Sequence, residues 1–142
     1  MTDVSMFLKR NKTVRENVRY APTKSLRDEN GPLEFVLRPM TSKENEELQE
    51  QHMKEVPIPG RPGAYRSRMD VKGYLGGMLA ASVVVPDLYN EELQDSYGVR
   101  TPEDLLKEMV DDPGEYTELT KFVQKMNGFD AAMDDRIDEA KN

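Results

Sequence analysis

Near the start of the chain, apolar and polar side chains alternate in two short stretches, residues 17–20 and 33–37. A period of two is typical of β-strands that bury one face. The Asn30-Gly31 pair between the two stretches tolerates the positive φ that a tight turn requires. The pattern therefore predicts an antiparallel β-hairpin in this part of the chain.

The next segment is largely charged and begins with a helix-capping pattern. In a capping box, the Thr41 hydroxyl accepts a hydrogen bond from the amide three residues on, and Glu44 reaches back to the amide of Thr41. We expect a helix from this point to about Lys54. Leu48 and Met53 are its few apolar contacts, so it should lie on the surface.

Residues 56–63 contain three prolines and two glycines. Proline lacks the amide proton that a helix or a sheet ladder needs, and glycine favours turns. We expect a loop or a linker here.

Residues 70–85 carry apolar side chains close to the helical spacing i, i+3, i+4, i+7, which predicts a helix at the centre of the core. Gly73, Gly76 and Gly77 each cost a helix roughly 1 kcal/mol. We expect another element to pack closely against this bare backbone and offset that cost. In an alternative interpretation, the β-branched run at 83–85 forms a strand.

Beyond Pro86 the chain contains short segments with clear helix start and stop residues. Asn90 can cap a helix that ends at Gly98, and Thr101 and Asp112 each precede a proline at the first helical position. Asn127-Gly128 closes the last segment. The inward-facing residues of the last two predicted helices are Leu105, Leu106, Met109, Val110, Tyr116, Leu119, Val123 and Met126.

These elements predict an α+β fold, mostly α, in which an N-terminal β-hairpin packs on a bundle of short helices. We expect a single domain at residues 17–129. A loosely ordered segment at 1–16 precedes it, in which residues 6–8 could form a short turn that docks on the domain.

Composition fits this size. The chain has 142 residues, of which 37% are apolar, which suits one domain with a modest core. The absence of cysteine excludes disulfides, thiol catalysis and thiolate metal sites. No stretch approaches the ~18 uncharged apolar residues of a membrane-spanning helix. We expect a protein of the cytoplasm that binds no membrane.

Charge is distributed unevenly along the chain. Residues 1–72 hold 14 Lys and Arg against 11 Asp and Glu, whereas residues 73–142 hold 6 against 16. Such an acidic half repels nucleic acid, so we expect either a partner with a basic or polar protein surface or simply a solvated acidic surface that keeps the protein soluble. The chain ends in an acidic tail or helix, residues 130–142, with a narrow apolar stripe that includes Met133 and Ile137.

Residues that carry out chemistry are nearly absent. His52 is the only histidine, and without a serine or carboxylate pattern around it we interpret it as a surface residue. The acidic residues of 130–139 lack the spacing and glycine of a calcium-binding EF-hand loop. The glycines in 60–63 and 73–77 lack the spacing of phosphate-binding loops. We expect no enzyme activity, no metal and no cofactor.

Several segments resemble a known protein family, the tail assembly chaperones of long-tailed phages and defective prophages of Gram-positive bacteria. The resemblance rests on the segments NVRYAPTK, GPLEFVLRPMTSKENEEL and VPIPGRPGAY, and above all on VVVPDLYNEELQDSYGVRTPEDLLKEMVDDPGEYTELTKFVQKMNGF. It covers about residues 14–130.

The resemblance implies a factor that binds the tape measure protein and helps tail tube subunits assemble around it. The tape measure protein is the implied partner, and the tail tube protein is a further candidate. Such a factor acts in the cytoplasm of the bacterial host and is absent from the finished virion.

The candidate partner-binding residues lie on either side of the helical block. They are Val56, Ile58 and Tyr65 of the proline-rich segment, and Met133 and Ile137 of the acidic tail. Exposed apolar side chains of this kind can cover apolar stripes on a helical partner. Two other functions remain open, namely a structural adaptor retained in the tail and an acidic inhibitor of a host protein.

Overall fold

The computed structural model describes residues 3–129, which contain five α-helices and three small antiparallel sheets. The strands are β1 (Val18–Tyr20), β2 (Arg27–Asp28), β3 (Gly31–Pro32), β4 (Phe35–Leu37), β5 (Met53–Pro57), β6 (Tyr65–Met69) and β7 (Val83–Val85). The helices are α1 (Ser42–Gln51), α2 (Val71–Ser82), α3 (Glu91–Tyr97), α4 (Pro102–Met109) and α5 (Pro113–Met126). Two short 3-10 helices, Val4–Phe7 and Lys9–Asn11, precede β1. This part of the chain is therefore α+β and mostly helical, as the sequence predicts.

The N-terminal strands pair as the alternating pattern predicts. β1 and β4 are antiparallel, with Val18 opposite Leu37 and Tyr20 opposite Phe35. The Asn30-Gly31 turn does not join them directly, because it closes a smaller hairpin of its own, β2–β3. Gly31 has a φ of 123° there, a value that residues with a side chain rarely adopt.

The prediction of one helix over 70–85 is wrong at its C-terminal end, and the alternative interpretation is right. α2 ends at Ser82, and residues 83–85 form β7, which pairs with β4 to complete a three-stranded sheet of order β1-β4-β7. The amide of Arg38 donates a hydrogen bond of 2.8 Å to the carbonyl of Ser82 at this junction. A run of valines favours the strand because β-branched side chains fit a pleated sheet better than a helix.

The capping box of α1 is present. The amide of Glu44 donates to the Thr41 hydroxyl at 3.1 Å, and the amide of Thr41 donates to the Glu44 carboxylate at 3.1 Å. Arg38 donates two hydrogen bonds to the same carboxylate, at 3.1 and 2.7 Å, and chiefly for this reason the pKa of Glu44 falls to about 2. The helix ends at Gln51 and not near residue 54, because the chain leaves it to begin β5.

Close packing of α1 explains two of the three glycines in α2. A Cβ atom added at Gly77 would lie 2.9 Å from Cδ1 of Leu48 and 3.2 Å from Cε1 of His52. One added at Gly73 would lie 2.5 Å from the carboxylate of Asp70, which caps α2, and 2.8 Å from the His52 ring. Gly76 has open space where its Cβ would be. The interpretation of His52 as a plain surface residue is therefore wrong: its half-buried ring packs on α2, and Nδ1 lies 2.9 Å from the carbonyl oxygen of Leu48.

The last three helices begin and end where their capping residues predict. Asn90, Thr101 and Asp112 each accept hydrogen bonds from amides of the first turn, and Gly98 ends α3 with a φ of 69°. α2 packs against α1, α4 and α5, so it lies at the centre of the fold. The side chains buried around it include Leu37, Tyr74, Met78, Leu79, Leu105, Leu106, Val110, Leu119 and Val123.

The N-terminal hairpin packs on α5. The rings of Tyr20 and Phe122 stack with centroids 4.1 Å apart. The carboxylate of Glu115 accepts hydrogen bonds from the Thr23 hydroxyl at 2.7 Å and from the amide of Lys24 at 2.9 Å. The predicted packing of hairpin on helices is therefore confirmed.

The short turn expected at residues 6–8 forms, but it does not dock. Met6 is 68% exposed and Phe7 is 75% exposed. The side chains of Met6 and Phe7, which were expected to dock on the domain, therefore face the solvent.

Candidate partner-binding surface

The proline-rich segment belongs to a two-stranded arm, β5–β6, here called the arm (residues 53–69). Its cross-strand neighbours run from Met53 opposite Met69 at the base to Pro57 opposite Tyr65 near the tip. The expectation of a loop at 56–63 is therefore right for residues 58–63, which form the tip, and wrong for Val56 and Pro57, which lie in β5. The amide of Ile58 donates to the carbonyl of Ala64 across the ribbon. Because successive amides of a strand point to opposite sides, the nitrogen of Pro57 points away from β6, and its missing proton removes no hydrogen bond between the strands.

The tip of the arm consists of two successive tight turns. The amide of Arg61 donates to the carbonyl of Ile58 at 3.2 Å, and the amide of Ala64 donates to the carbonyl of Arg61 at 3.0 Å. Gly60 and Gly63 occupy the third position of each turn with φ of 78° and 80°. These values, with proline before each glycine, define type II turns. The repeated Pro-Gly pair was the sequence feature that could have predicted them.

The two faces of the arm differ in chemistry. Lys54 lies opposite Arg68. Val56, two residues from Lys54, lies opposite Arg66, so one face carries a valine among three cations. On the other face, Tyr65 lies beside Pro57, and the hydroxyl of Ser67 donates to Glu55 at 2.8 Å. The sequence shows that Arg66 and Arg68 alternate with Tyr65 and Ser67. This alternation predicts a basic face only once residues 65–69 are known to form a strand, in which alternate side chains point to the same side.

This basic face is available for contacts with another molecule. Lys54, Arg66 and Arg68 are exposed, and none of them forms an ion pair with any residue in 3–129. With Arg61 at the tip, the arm carries four cations against one carboxylate, Glu55. A partner that approaches this face therefore gains most if its own surface is acidic.

The predicted partner-binding residues of the arm do not share one face. Tyr65 is 60% exposed, whereas Val56 and Ile58 are half-buried. Val56 lies on the basic face, Tyr65 lies on the opposite one, and Ile58 begins the tip. Met133 and Ile137 lie outside the described residues, and their contribution stays a prediction.

A second exposed apolar area lies where β7 leads into α3, and the sequence reasoning did not single it out. Val84 and Val85 are 40% and 49% exposed, and Tyr89 is 78% exposed. By contrast, the apolar residues predicted to face inward from α4 and α5 are buried or half-buried in the core. Those helices therefore build the fold, while the arm, the β7–α3 junction and the N-terminal segment carry most of the exposed apolar side chains.

Within residues 3–129, no group of three or more His, Asp or Glu side chains is placed to hold a metal ion. No helix in this part of the chain has the length and apolar character needed to cross a membrane.

Comparison with solved structures shows a shared fold. The chain is similar to the crystal structure of the protein YqbN, with a TM-score of 0.74 at 20% sequence identity over 92% of this chain and 99% of that one.

Comparison of sequences shows the family. The chain is 25% identical to the phage-like element PBSX protein XkdN of Bacillus subtilis, over 99% of this chain and 94% of XkdN. It is 23% identical to YqbN of the same organism, over 99% of this chain and 93% of YqbN. The family model of the phage XkdN-like tail assembly chaperones matches residues 4–141. The chain therefore belongs to the family of XkdN-like phage tail assembly chaperones.

Proposed function

We propose that this protein binds the tape measure protein in the cytoplasm of the bacterial host and helps tail tube subunits assemble around it. Membership in a tail assembly chaperone family supports a role in tail assembly. The observation that carries the choice of surface is the arm, whose Tyr65 is 60% exposed at a distance from the core. The tape measure protein is the proposed partner, with the tail tube protein as a second.

The physical argument concerns apolar surface that must stay covered before assembly is complete. A long helical partner exposes apolar stripes until the tube encloses it, and such stripes drive aggregation. A ribbon that offers aromatic and aliphatic side chains on a narrow arm can lie along a stripe without burying much of its own fold.

A binding experiment with matched variants tests this proposal. The variant Val56→Ser/Ile58→Ser/Tyr65→Ser should bind the tape measure protein of the same phage or prophage about tenfold more weakly than the wild type, because an exposed aromatic and its neighbours dominate small interfaces. A second variant lacks residues 130–142, which tests Met133 and Ile137. The control is Phe7→Ser/Val14→Ser, which removes apolar side chains that are 75% and 80% exposed elsewhere. Unchanged binding in both test variants would show that the contact surface lies elsewhere.

Mass spectrometry of purified particles tests the chaperone role itself. A chaperone is released once the tube has formed, so the protein should be missing from particles and present in lysates of assembling cells. Stoichiometric amounts in the particles would instead identify a structural adaptor retained in the tail.

A further inference from the structure

The junction of β7 and α3 combines exposed apolar side chains with a groove, and we call it the β7–α3 surface (residues 84–96). Val84, Val85 and Tyr89 are its exposed apolar residues. Beside them lies a groove of about 360 Å³, lined by Pro86, Asp87, Asn90, Glu92, Leu93 and Ser96.

The turn that carries Tyr89 is held in place by its own hydrogen bonds. The carboxylate of Asp87 accepts from the amide of Tyr89 at 3.0 Å, and the carbonyl of Asp87 accepts from the amide of Asn90 at 3.0 Å. The side chain of Gln94 donates to the carbonyl of Leu88 at 2.8 Å. The aromatic ring is thus presented from an ordered backbone, which lowers the entropy lost when a partner binds.

The charge on this surface has one sign. Residues 84–99 contain four acidic side chains and no lysine or arginine. The acidic residues are Asp87, Glu91, Glu92 and Asp95, and all four are exposed. Glu92 lines the groove, and its carboxylate forms no ion pair or side-chain hydrogen bond with another residue in the described range 3–129. Its charge is therefore free to attract a cation.

We propose that the β7–α3 surface binds an amphipathic segment of a tail protein in which lysine or arginine side chains alternate with aliphatic ones. The aliphatic side chains cover Val84, Val85 and Leu93, and the cations meet Glu92 and the face of the Tyr89 ring, where cation–π attraction adds to the ion pair. This inference rests on the proposed function and deepens it, because it names the chemistry of a second partner segment. That segment is cationic, so the basic face of the arm would repel it.

A peptide-binding experiment on the full chain tests the surface directly. The probe is a short labelled peptide in which lysines alternate with leucines, and the reference is the same peptide with glutamates in place of the lysines. The wild-type protein should bind the lysine peptide with an affinity that falls as salt is added, and Glu92→Lys should not weaken any binding of the glutamate peptide to the basic arm. Glu92→Lys and Tyr89→Ala should each weaken binding about tenfold.

The matched control is Glu47→Lys, which makes the same charge change at an exposed residue of α1, outside the groove. It should change the affinity less than about twofold, since only a long-range charge is altered. If Glu47→Lys weakens binding as much as Glu92→Lys, the attraction is a property of net charge and the proposal is wrong. Failure of the lysine peptide to bind also overturns it.

The same variants, measured against the tape measure protein and by sedimentation, separate this inference from the proposed function. If the tape measure protein binds the wild type and Glu92→Lys equally well, the inference is wrong and the proposed function stands. If the tape measure protein does not bind but the peptide results are as expected, the surface stands and the proposed function is wrong. Sedimentation tests whether a second copy of the chain occupies the surface. If the wild type forms an oligomer that Glu92→Lys dissociates and that the lysine peptide does not, the occupant is a second copy and the inference is wrong.

Discussion

At the scale of single residues, the bare backbone of α2 shows how far local sequence can predict a contact. Glycine at 73 and 77 costs helix stability and so required close packing. The structure places the ring of His52, the residue that follows α1, against both, with Leu48 of α1 against Gly77 and the Asp70 carboxylate beside Gly73. The sequence could not identify which element would fill that role, because helix packing depends on residues far apart in the chain. His52 was misread for the same reason, since its own neighbours in sequence give no sign of α2.

Two alanine substitutions on α2 should have opposite effects. Gly77→Ala places a methyl group 2.9 Å from the flexible end of Leu48 and 3.2 Å from the His52 ring. The overpacking exceeds the gain in helix propensity, so the protein should be destabilised by about 1 kcal/mol. Gly76→Ala meets nothing within 4 Å and should stabilise by about 0.5–1 kcal/mol through helix propensity. Denaturant unfolding of both variants measures the difference. Equal destabilisation would mean that the helix tolerates no added Cβ, whatever its neighbours.

The Arg38–Glu44 pair should make stability depend on acid pH. The pKa of Glu44 is lowered in the fold from its ordinary value of 4.5 to about 2, so its contribution is fully present above pH 4.5 and is lost as the pH falls towards 2. Both side chains are about one-third exposed, so solvent screening limits the effect to about 1 kcal/mol. Glu44→Gln keeps the capping geometry without the charge. Its free energy of unfolding should fall less steeply with acidification than that of the wild type, and parallel curves would contradict this.

At the scale of elements, local start and stop residues predicted α3, α4 and α5 well, whereas strands were predicted less completely. Helix caps act within one turn, so Thr101 with Pro102 is sufficient to begin α4. β7 exists because β4 lies beside it, and that pairing is invisible in a run of valines that also continues a helical pattern. The prolines of the arm argue against a strand only if both edges of that strand form hydrogen bonds. A two-stranded ribbon needs hydrogen bonds on one edge only, so the sequence indicated a loop where the structure has strands and a tip.

A Cβ atom added in the two type II turns at the tip of the arm should destabilise the tip. It should leave the stability of the core unchanged. Gly60→Ala/Gly63→Ala puts a side chain at φ of 78° and 80°, which costs about 1 kcal/mol at each position. Hydrogen exchange at the amides of Ile58 and Ala64 should accelerate, since both donate within the tip. The melting temperature should hardly change, because the strands of the arm are mostly exposed. A large fall in melting temperature would show that the arm supports the core.

At the scale of the whole molecule, the fold separates charge of opposite sign. The arm carries four cations, whereas residues 87–118 hold eleven carboxylates against two cations. The uneven distribution of charge between the two halves of the sequence predicted an acidic region. It did not predict that four cations would lie together on a two-stranded ribbon. That arrangement depends on strand register, which turns alternate residues into one face.

Reversing the basic face should weaken partner binding without harming the fold. Lys54→Glu/Arg66→Glu/Arg68→Glu should slow association with the tape measure protein about tenfold at low salt, with a smaller difference at high salt. All three side chains are exposed, so the melting temperature should stay near that of the wild type. Stopped-flow association at several salt concentrations provides the measurement.

The control for that experiment reverses three exposed cations outside the arm, in the variant Lys43→Glu/Lys72→Glu/Arg100→Glu. It has the same net charge as the test variant. If the two variants associate at the same rate, the location of the charge does not matter and the basic face has no special role.

The base of the arm has an evolutionary consequence. Met53 and Met69 are cross-strand neighbours, so the chain leaves the domain and returns to it at points about 5 Å apart. The amide of Asp70 closes this base with a hydrogen bond of 2.7 Å to the carbonyl of His52. A ribbon joined in this way can be lengthened or shortened by two residues on each strand, which preserves its two faces, with no change in the helices beneath. Diverging phages could thus fit the reach of this appendage to new partners while they inherit the same core.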